Sequence, residues 1–159
     1  MQNFRNCVVE DWAAGHTRFG SAPPPRSGLL HLVTPHDLQD LRTALAHGRL
    51  PQDFEAKLAR LHEGDLIHRN VEQNSRLFYA LLLAALECSF TGTNAADRDR
   101  LMCVLAYVRK DDDAIPDYRP GGFVDDHQAV RAAATELAPV LHAFKVWRLR
   151  HQVPAMWPS

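Results

Sequence analysis

Six aspartates fall in one short segment: Asp111, Asp112, Asp113, Asp117, Asp125 and Asp126. Only Arg109, Lys110 and Arg119 stand beside them as cations. Two like charges about 4 Å apart repel by about 1 kcal/mol in water, and by several times that near a protein surface. A chain that concentrates carboxylates in this way must offset the repulsion with helix N-termini, basic partners or a bound cation. Hard divalent cations take oxygen ligands. Asp113, Asp117, Asp125 and Asp126, with His127 adjacent, therefore form a candidate metal-ligand set for Mg²⁺ or Ca²⁺, and an ion held there could activate water for hydrolysis. The spacing is not that of an EF-hand loop, because no bidentate glutamate closes the set.

The same residues also have a structural reading, on which no cofactor is expected. Pro116 fixes its own backbone and biases Ile115 away from helical geometry. Ile115 would then turn inward as an anchor, flanked by Asp113 and Asp117. Asp125 followed three residues later by Gln128 has the form of a capping box. Asp126 beside it complements the positive end of a helix dipole.

Ala106-Tyr107-Val108, then Asp113-Ala114-Ile115-Pro116-Asp117-Tyr118-Arg119-Pro120, then the Asp125-Asp126 pair, resembles the YkvA-like domain, a widespread bacterial family of unknown function. The likeness lies in the tyrosine-bearing helix, the D-x-I-P-D-x-x-P core, the glycine-containing turn and the D-D pair at a helix start. It spans about residues 100–145. The turn Gly121-Gly122-Phe123-Val124 is one residue shorter than the family pattern, and Asp111 and Asp112 make its approach more acidic. The resemblance implies a helix-loop-helix with a fixed turn; it implies no particular reaction.

Other constellations carry less. There are nine histidines, but no HExxH pattern places two of them on one helix face. His68 and Glu72, four residues apart, read as a solvated helix pair. The serines lack a GxSxG setting, and no GxGxxG or P-loop is present. Cys7, Cys88 and Cys103 are odd in number and form no CxxC, which argues against a zinc knuckle or a disulfide framework.

The elements that must position the acids are helices. Thr34 suits an N-cap, with Pro35 at the first helical position and Asp37 three residues after the cap. Leu38, Leu41 and Leu45 follow as a stripe, and Gly48 suits the stop. A second helix over about Gln52 to His62 buries Phe54, Leu58 and Leu61 and ends by Gly64. A third runs from about Asp65 to Phe90 with the seam Ile67, Val71, Asn74, Phe78, Leu81 and Ala85. It is apolar on nearly every face from Leu77 onward, so it belongs at the centre of the core. Asn94 caps a fourth helix, whose core face is Leu101, Val104, Leu105 and Val108. A fifth runs from near Asp125 to about His151 along Val130, Ala134, Leu137, Leu141 and Phe144, with a kink or break just before Pro139. No strand is expected. The fold class is therefore all-α: a small bundle of about five helices, with residues 34–152 as the helical domain, 1–33 as an irregular arm rich in Gly and Pro, and 153–159 as a tail.

The chain has 159 residues, 46% of them hydrophobic and 23% charged, with net charge -1. One domain with one core fits that length. No basic patch suggests a nucleic-acid partner; the cluster Lys145, Arg148, Arg150, His151 suits a helix C-terminus. No apolar run reaches the roughly 20 residues of a membrane span. Polar residues among the first eleven argue against a secretory signal, and a cytoplasmic location is the expectation. The function these features favour is a non-enzymatic helical interaction or regulatory module in a bacterial cytoplasmic assembly. It would bind another protein or itself, with Trp157 in the tail as a candidate partner contact. The alternative is a divalent-metal-dependent hydrolase or nuclease-like enzyme built on the aspartates.

Overall fold

A computed structural model describes residues 31–48, 50–61 and 64–153. The arm up to residue 30 and Trp157 lie outside the described residues. Six helices make up the described part, with no strand among them. They are α1 (Pro35–Ala46), α2 (Gln52–Ala59), α3 (Leu66–Leu86), α4 (Ala95–Val108), α5 (Val124–Glu136) and α6 (Ala138–Arg150). Among the described residues, no helix is long and apolar enough to cross a membrane.

The helix starts are written in local chemistry. Thr34 and Asp37 form a reciprocal capping box at α1, and Asn94 and Asp97 form another at α4. Each satisfies backbone N–H groups that a helix start leaves without partners. Asp65 caps α3 by accepting from the Ile67 and His68 amides.

α3, α4 and α5 pack against one another as the central trio, with α1 against α4 and α6 against α5. α3 is buried continuously from Phe78 to Ala84, and α4 from Leu101 to Val108. The centre is thus shared by two all-round apolar helices rather than held by α3 alone. Val33 is buried and Leu32 packs against the core just ahead of α1.

Two details differ from the sequence reading. α3 stops at Leu86 rather than Phe90, because Cys88 adopts a left-handed backbone (φ 56°). The Ser89 and Cys88 amides then bond back to the Ala84 and Ala85 carbonyls, as in a Schellman stop. This turn brings Phe90 into the core, against Phe144 and Trp147. The polar residue buried on the α3 seam is Ser75, not Asn74, which is half-buried and donates to its own helix at Asn70. The break expected before Pro139 is present: the last stretch is two helices, parted at Leu137 two residues ahead of the proline. The proline sits at the start of α6, where its missing N–H costs nothing.

Leu81 is fully buried in α3. Leu81→Ala is expected to cost about 2–5 kcal/mol in chemical denaturation, the range for deleting a packed leucine side chain; a loss under about 1 kcal/mol would mean that the position lies outside the core.

Candidate functional site: a buried lysine among four aspartates

The acidic segment joins the end of α4 to the start of α5, and most of its carboxylates point inward. What they meet is Lys57 of α2, which is 1% exposed. Its ammonium lies 2.9 Å from Asp126 Oδ2, 3.0 Å from Asp117 Oδ2 and 3.8 Å from Asp113 Oδ2. It also donates to the Lys110 carbonyl at the end of α4, and the Phe123 ring lies 5.7 Å away. Two helix dipoles favour the arrangement: Lys57 sits at the negative end of α4, and Asp126 lies in the positive first turn of α5. Arg60, one turn further along α2, pairs with Asp111 and Asp117 at the rim.

Asp125 has a separate role. Its Oδ2 accepts from the Tyr107 hydroxyl at 2.8 Å and from the Ile115 amide at 3.0 Å. One carboxyl thereby ties the loop to α4 and α5. It does not cap α5; Phe123 occupies the N-cap position, and no side chain caps the helix. The capping-box reading is corrected here, because the carboxyl is spent on a tyrosine brought near by the fold. Tyr107 is fully buried. Burial first, and the bond to Asp125 next, raise its hydroxyl pKa above the ordinary value.

The expectation for Ile115 is inverted. Ile115 is 36% exposed, and the aspartates flanking it turn inward instead. Once Lys57 is inside, the carboxylates gain more by reaching it than Ile115 gains by burial. The loop closes on itself through Asp117 N–H to the Asp111 carbonyl and Arg119 N–H to the Pro116 carbonyl. Gly122 packs directly on the backbone of Pro116 and Asp117; a Cβ there would lie 2.6 Å from the Asp117 Cα. Gly121 supplies the left-handed turn (φ 78°). The two glycines therefore do different work, one conformational and one steric.

Of the sequence-derived ligand set, the fold brings Asp113, Asp117 and Asp126 together, with one oxygen from each within 4.8 Å of the others. Asp125 lies beside them and faces Tyr107. His127 is half-buried, and no contact joins it to the cluster. His68, read from sequence as paired with Glu72, packs edge-on against Phe123 at 4.7 Å, while Glu72 pairs with Arg76. Lys57 was missed. Its signal was present: Phe54, Lys57, Leu58 and Leu61 form an i, i+3, i+4, i+7 stripe, with a lysine in a core position.

The charges inside do not balance. Three buried carboxyls face one ammonium, a fourth, Asp125, lies beside them on Tyr107, and at the rim Arg60 is offset by Asp111. Two like charges about 4 Å apart repel by about 4 kcal/mol at an effective dielectric of about 20. Burial raises the pKa of Asp126 to about 8, Asp113 to about 7 and Asp117 to about 6, and it outweighs the opposing pull of Lys57 in all three. An acid with a raised folded-state pKa binds more protons folded than unfolded. Its contribution to stability is therefore fully present below the unfolded pKa and is lost as pH rises through about 6 to 8.

The chain matches no protein-family model, no curated protein and no solved structure.

Lys57→Met keeps the length of the stem and removes the charge. It leaves the buried carboxylates uncompensated, so the expected loss at pH 9, where all three are ionised, is about 3–5 kcal/mol. The loss should shrink at pH 5, where protons take the place of the ammonium. Urea titrations at the two pH values check this; an equal loss at both would show that packing of the stem, not charge, holds Lys57 in place.

Proposed function

We propose that the chain is a non-enzymatic helical interaction or regulatory module, working in a bacterial cytoplasmic assembly, that presents the 111–123 loop to another protein. The observation that carries this reading is the division of the loop. Asp113 and Asp117 turn inward to Lys57 and Arg60, while Tyr118 is 76% exposed and Ile115 is 36% exposed. A rigid backbone that holds a tyrosine and an isoleucine in water suits recognition, because little ordering entropy remains to be lost on binding. Aromatic anchors of this kind dominate protein interfaces. The resemblance of residues 100–145 to the YkvA-like domain supports the bacterial setting and the fixed turn, and brings no reaction with it. The net charge of -1 supports a protein rather than a nucleic-acid partner.

A photo-activatable cross-linker at position 118 is expected to yield one defined adduct, with a partner protein or with a second copy of the chain. The same group at exposed Ala96 on α4 should yield none. Ile115→Ala with Tyr118→Ala should abolish the adduct while leaving the melting temperature within about 2 °C. Equal labelling from both positions would remove the docking reading.

The second reading, a divalent-metal-dependent hydrolase or nuclease-like enzyme, is favoured by the convergence of Asp113, Asp117 and Asp126 oxygens within 4.8 Å. It requires Mg²⁺ or Ca²⁺ to displace the Lys57 ammonium from among them. Millimolar Mg²⁺ or Ca²⁺ is expected to leave the melting temperature at its value in chelator. A stabilisation that disappears in Asp117→Asn would favour the enzyme, since an ion bound only to the folded state must stabilise it.

A further inference from the structure

Away from the aspartate loop, the cations of the chain fall into two groups. Lys57, Arg60, Arg76, Arg100, Arg109 and Lys110 each meet a carboxylate within the fold or at its rim. Those of α6 do not. From Leu137 to Val153 the sequence holds Lys145, Arg148 and Arg150 and no acid, in a chain whose net charge is -1. Among the described residues, none of the three forms an ion pair. Arg148 lies over the Phe144 ring, 5.9 Å from its centre, and Lys145 and Arg150 are exposed.

Cations in a last helical turn complement the helix dipole, which accounts for Arg148 and Arg150. It does not account for Leu149 between them, which is 82% exposed, more than any other large hydrophobic side chain among the described residues. Val146, three residues back on the same helix face, is half-buried. Past the helix, Gln152 adopts a left-handed backbone (φ 51°), and the Val153 amide bonds back to the Arg148 carbonyl. That stop sets Val153 beside the last turn, where it lines an open hollow of about 470 Å³ with Lys145, Arg148, Leu149 and Gln152. Val146, Leu149 and Val153 thus make one apolar strip, with Lys145 on one flank and Arg150 on the other. The inner face of α6 is already spent on the core, through Leu141 and Phe144 and through Trp147 against Phe90.

We propose that this face of α6 seats the protein on an anionic lipid surface, with Leu149 and the two valines at the boundary of the acyl chains and Lys145, Arg148 and Arg150 on headgroup phosphates. A helix lying in the plane of a membrane interface needs this division, apolar side chains inward and basic ones at headgroup level. Lysine and arginine suit it, because their stems lie along apolar surface while the charge stays in water. A nucleic-acid backbone would use the cations but would give Leu149 nothing apolar to meet. A single helix with cations on both flanks also fits a plane of repeated charges better than the few fixed carboxylates of a folded partner. α6 packs just past the C-terminal end of α3, through Phe90, whereas the 111–123 loop reaches the N-terminal end of α3, through Phe123 on His68. About 30 Å of helix lies between the two ends. A lipid-bound protein therefore holds its loop away from the surface, open to the partner proposed above, although lipid binding itself does not depend on that partner.

The test is co-sedimentation of the full chain with vesicles of phosphatidylcholine containing about one part in three of phosphatidylglycerol, beside vesicles of phosphatidylcholine alone. Binding is expected to the anionic vesicles and to be lost in high salt, which screens exposed charges. Each cation near an anionic surface is worth about fivefold in binding. Lys145→Gln with Arg150→Gln should therefore weaken binding about 25-fold, and Leu149→Ala about tenfold. Arg69→Gln removes the same charge from an exposed site in the first turn of α3, at the loop end, and should bind as the wild type does. All four positions are exposed, so the melting temperatures should match and a loss of binding is not a loss of fold. Equal binding to pure phosphatidylcholine, no binding to either vesicle, an equal loss in Arg69→Gln, or full affinity in Leu149→Ala would each overturn the proposal. Capture by DNA or by an acidic peptide in place of the vesicles would assign the face to that partner and overturn it as well. The cross-link at position 118 plays no part in this test, so the lipid and docking readings fail separately.

Discussion

The structure turns on one ammonium. Lys57 reaches into the end of the central trio and meets the C-terminus of α4, the loop that follows it and the first turn of α5. Without it, the only buried contacts of the short α2 segment would be those of Phe54, Leu58 and Leu61, and the aspartates would have no reason to turn inward. A buried ion cluster is weak evidence of stability, because desolvation can exceed the Coulombic gain. Its value here lies in specifying one arrangement. The alternatives place four carboxylates in a dry site with no cation.

Around that contact, the end of α4 works as a brace. Arg109 pairs with Asp53 of α2, and Lys110 reaches both Asp37 of α1 and the Leu32 carbonyl before it. These pairs are half exposed or nearer the surface and count for little singly. They set direction rather than strength. Asp37 shows the economy of the arrangement, since the same carboxyl closes the capping box of α1 and receives Lys110. Its pKa is lowered, with the Thr34 bonds and Lys110 outweighing burial. Its contribution to stability is therefore present above the unfolded value and lost only as pH falls below it, the reverse of the loop aspartates.

What the sequence makes legible is what is local. The capping boxes at Thr34 and Asn94, the apolar run of α3, the core face of α4 and the break before Pro139 each depend on residues within a turn or two. The acidic loop also stands out, because six aspartates in so short a span demand an explanation. The explanation itself does not stand out. Lys57 lies more than fifty residues from the carbonyl and carboxylates it meets, and on α2 it looks like one more surface lysine. Asp125 has the spacing of a cap yet bonds Tyr107, a partner chosen by helix packing rather than by sequence distance. Ile115 reads as an anchor only until the aspartates beside it find a buried cation.

The account therefore claims that Lys57 and the aspartates stabilise the loop as a coupled unit. A double-mutant cycle of Lys57→Met with Asp126→Asn, measured by equilibrium urea denaturation at pH 9, above the raised Asp126 pKa, tests this most directly. Charges in contact inside a protein couple by about 0.5–3 kcal/mol. The predicted coupling lies in the upper half of that range, with Asp126→Asn rescuing part of the loss caused by Lys57→Met. Two effects that simply add within about 0.5 kcal/mol would contradict the account.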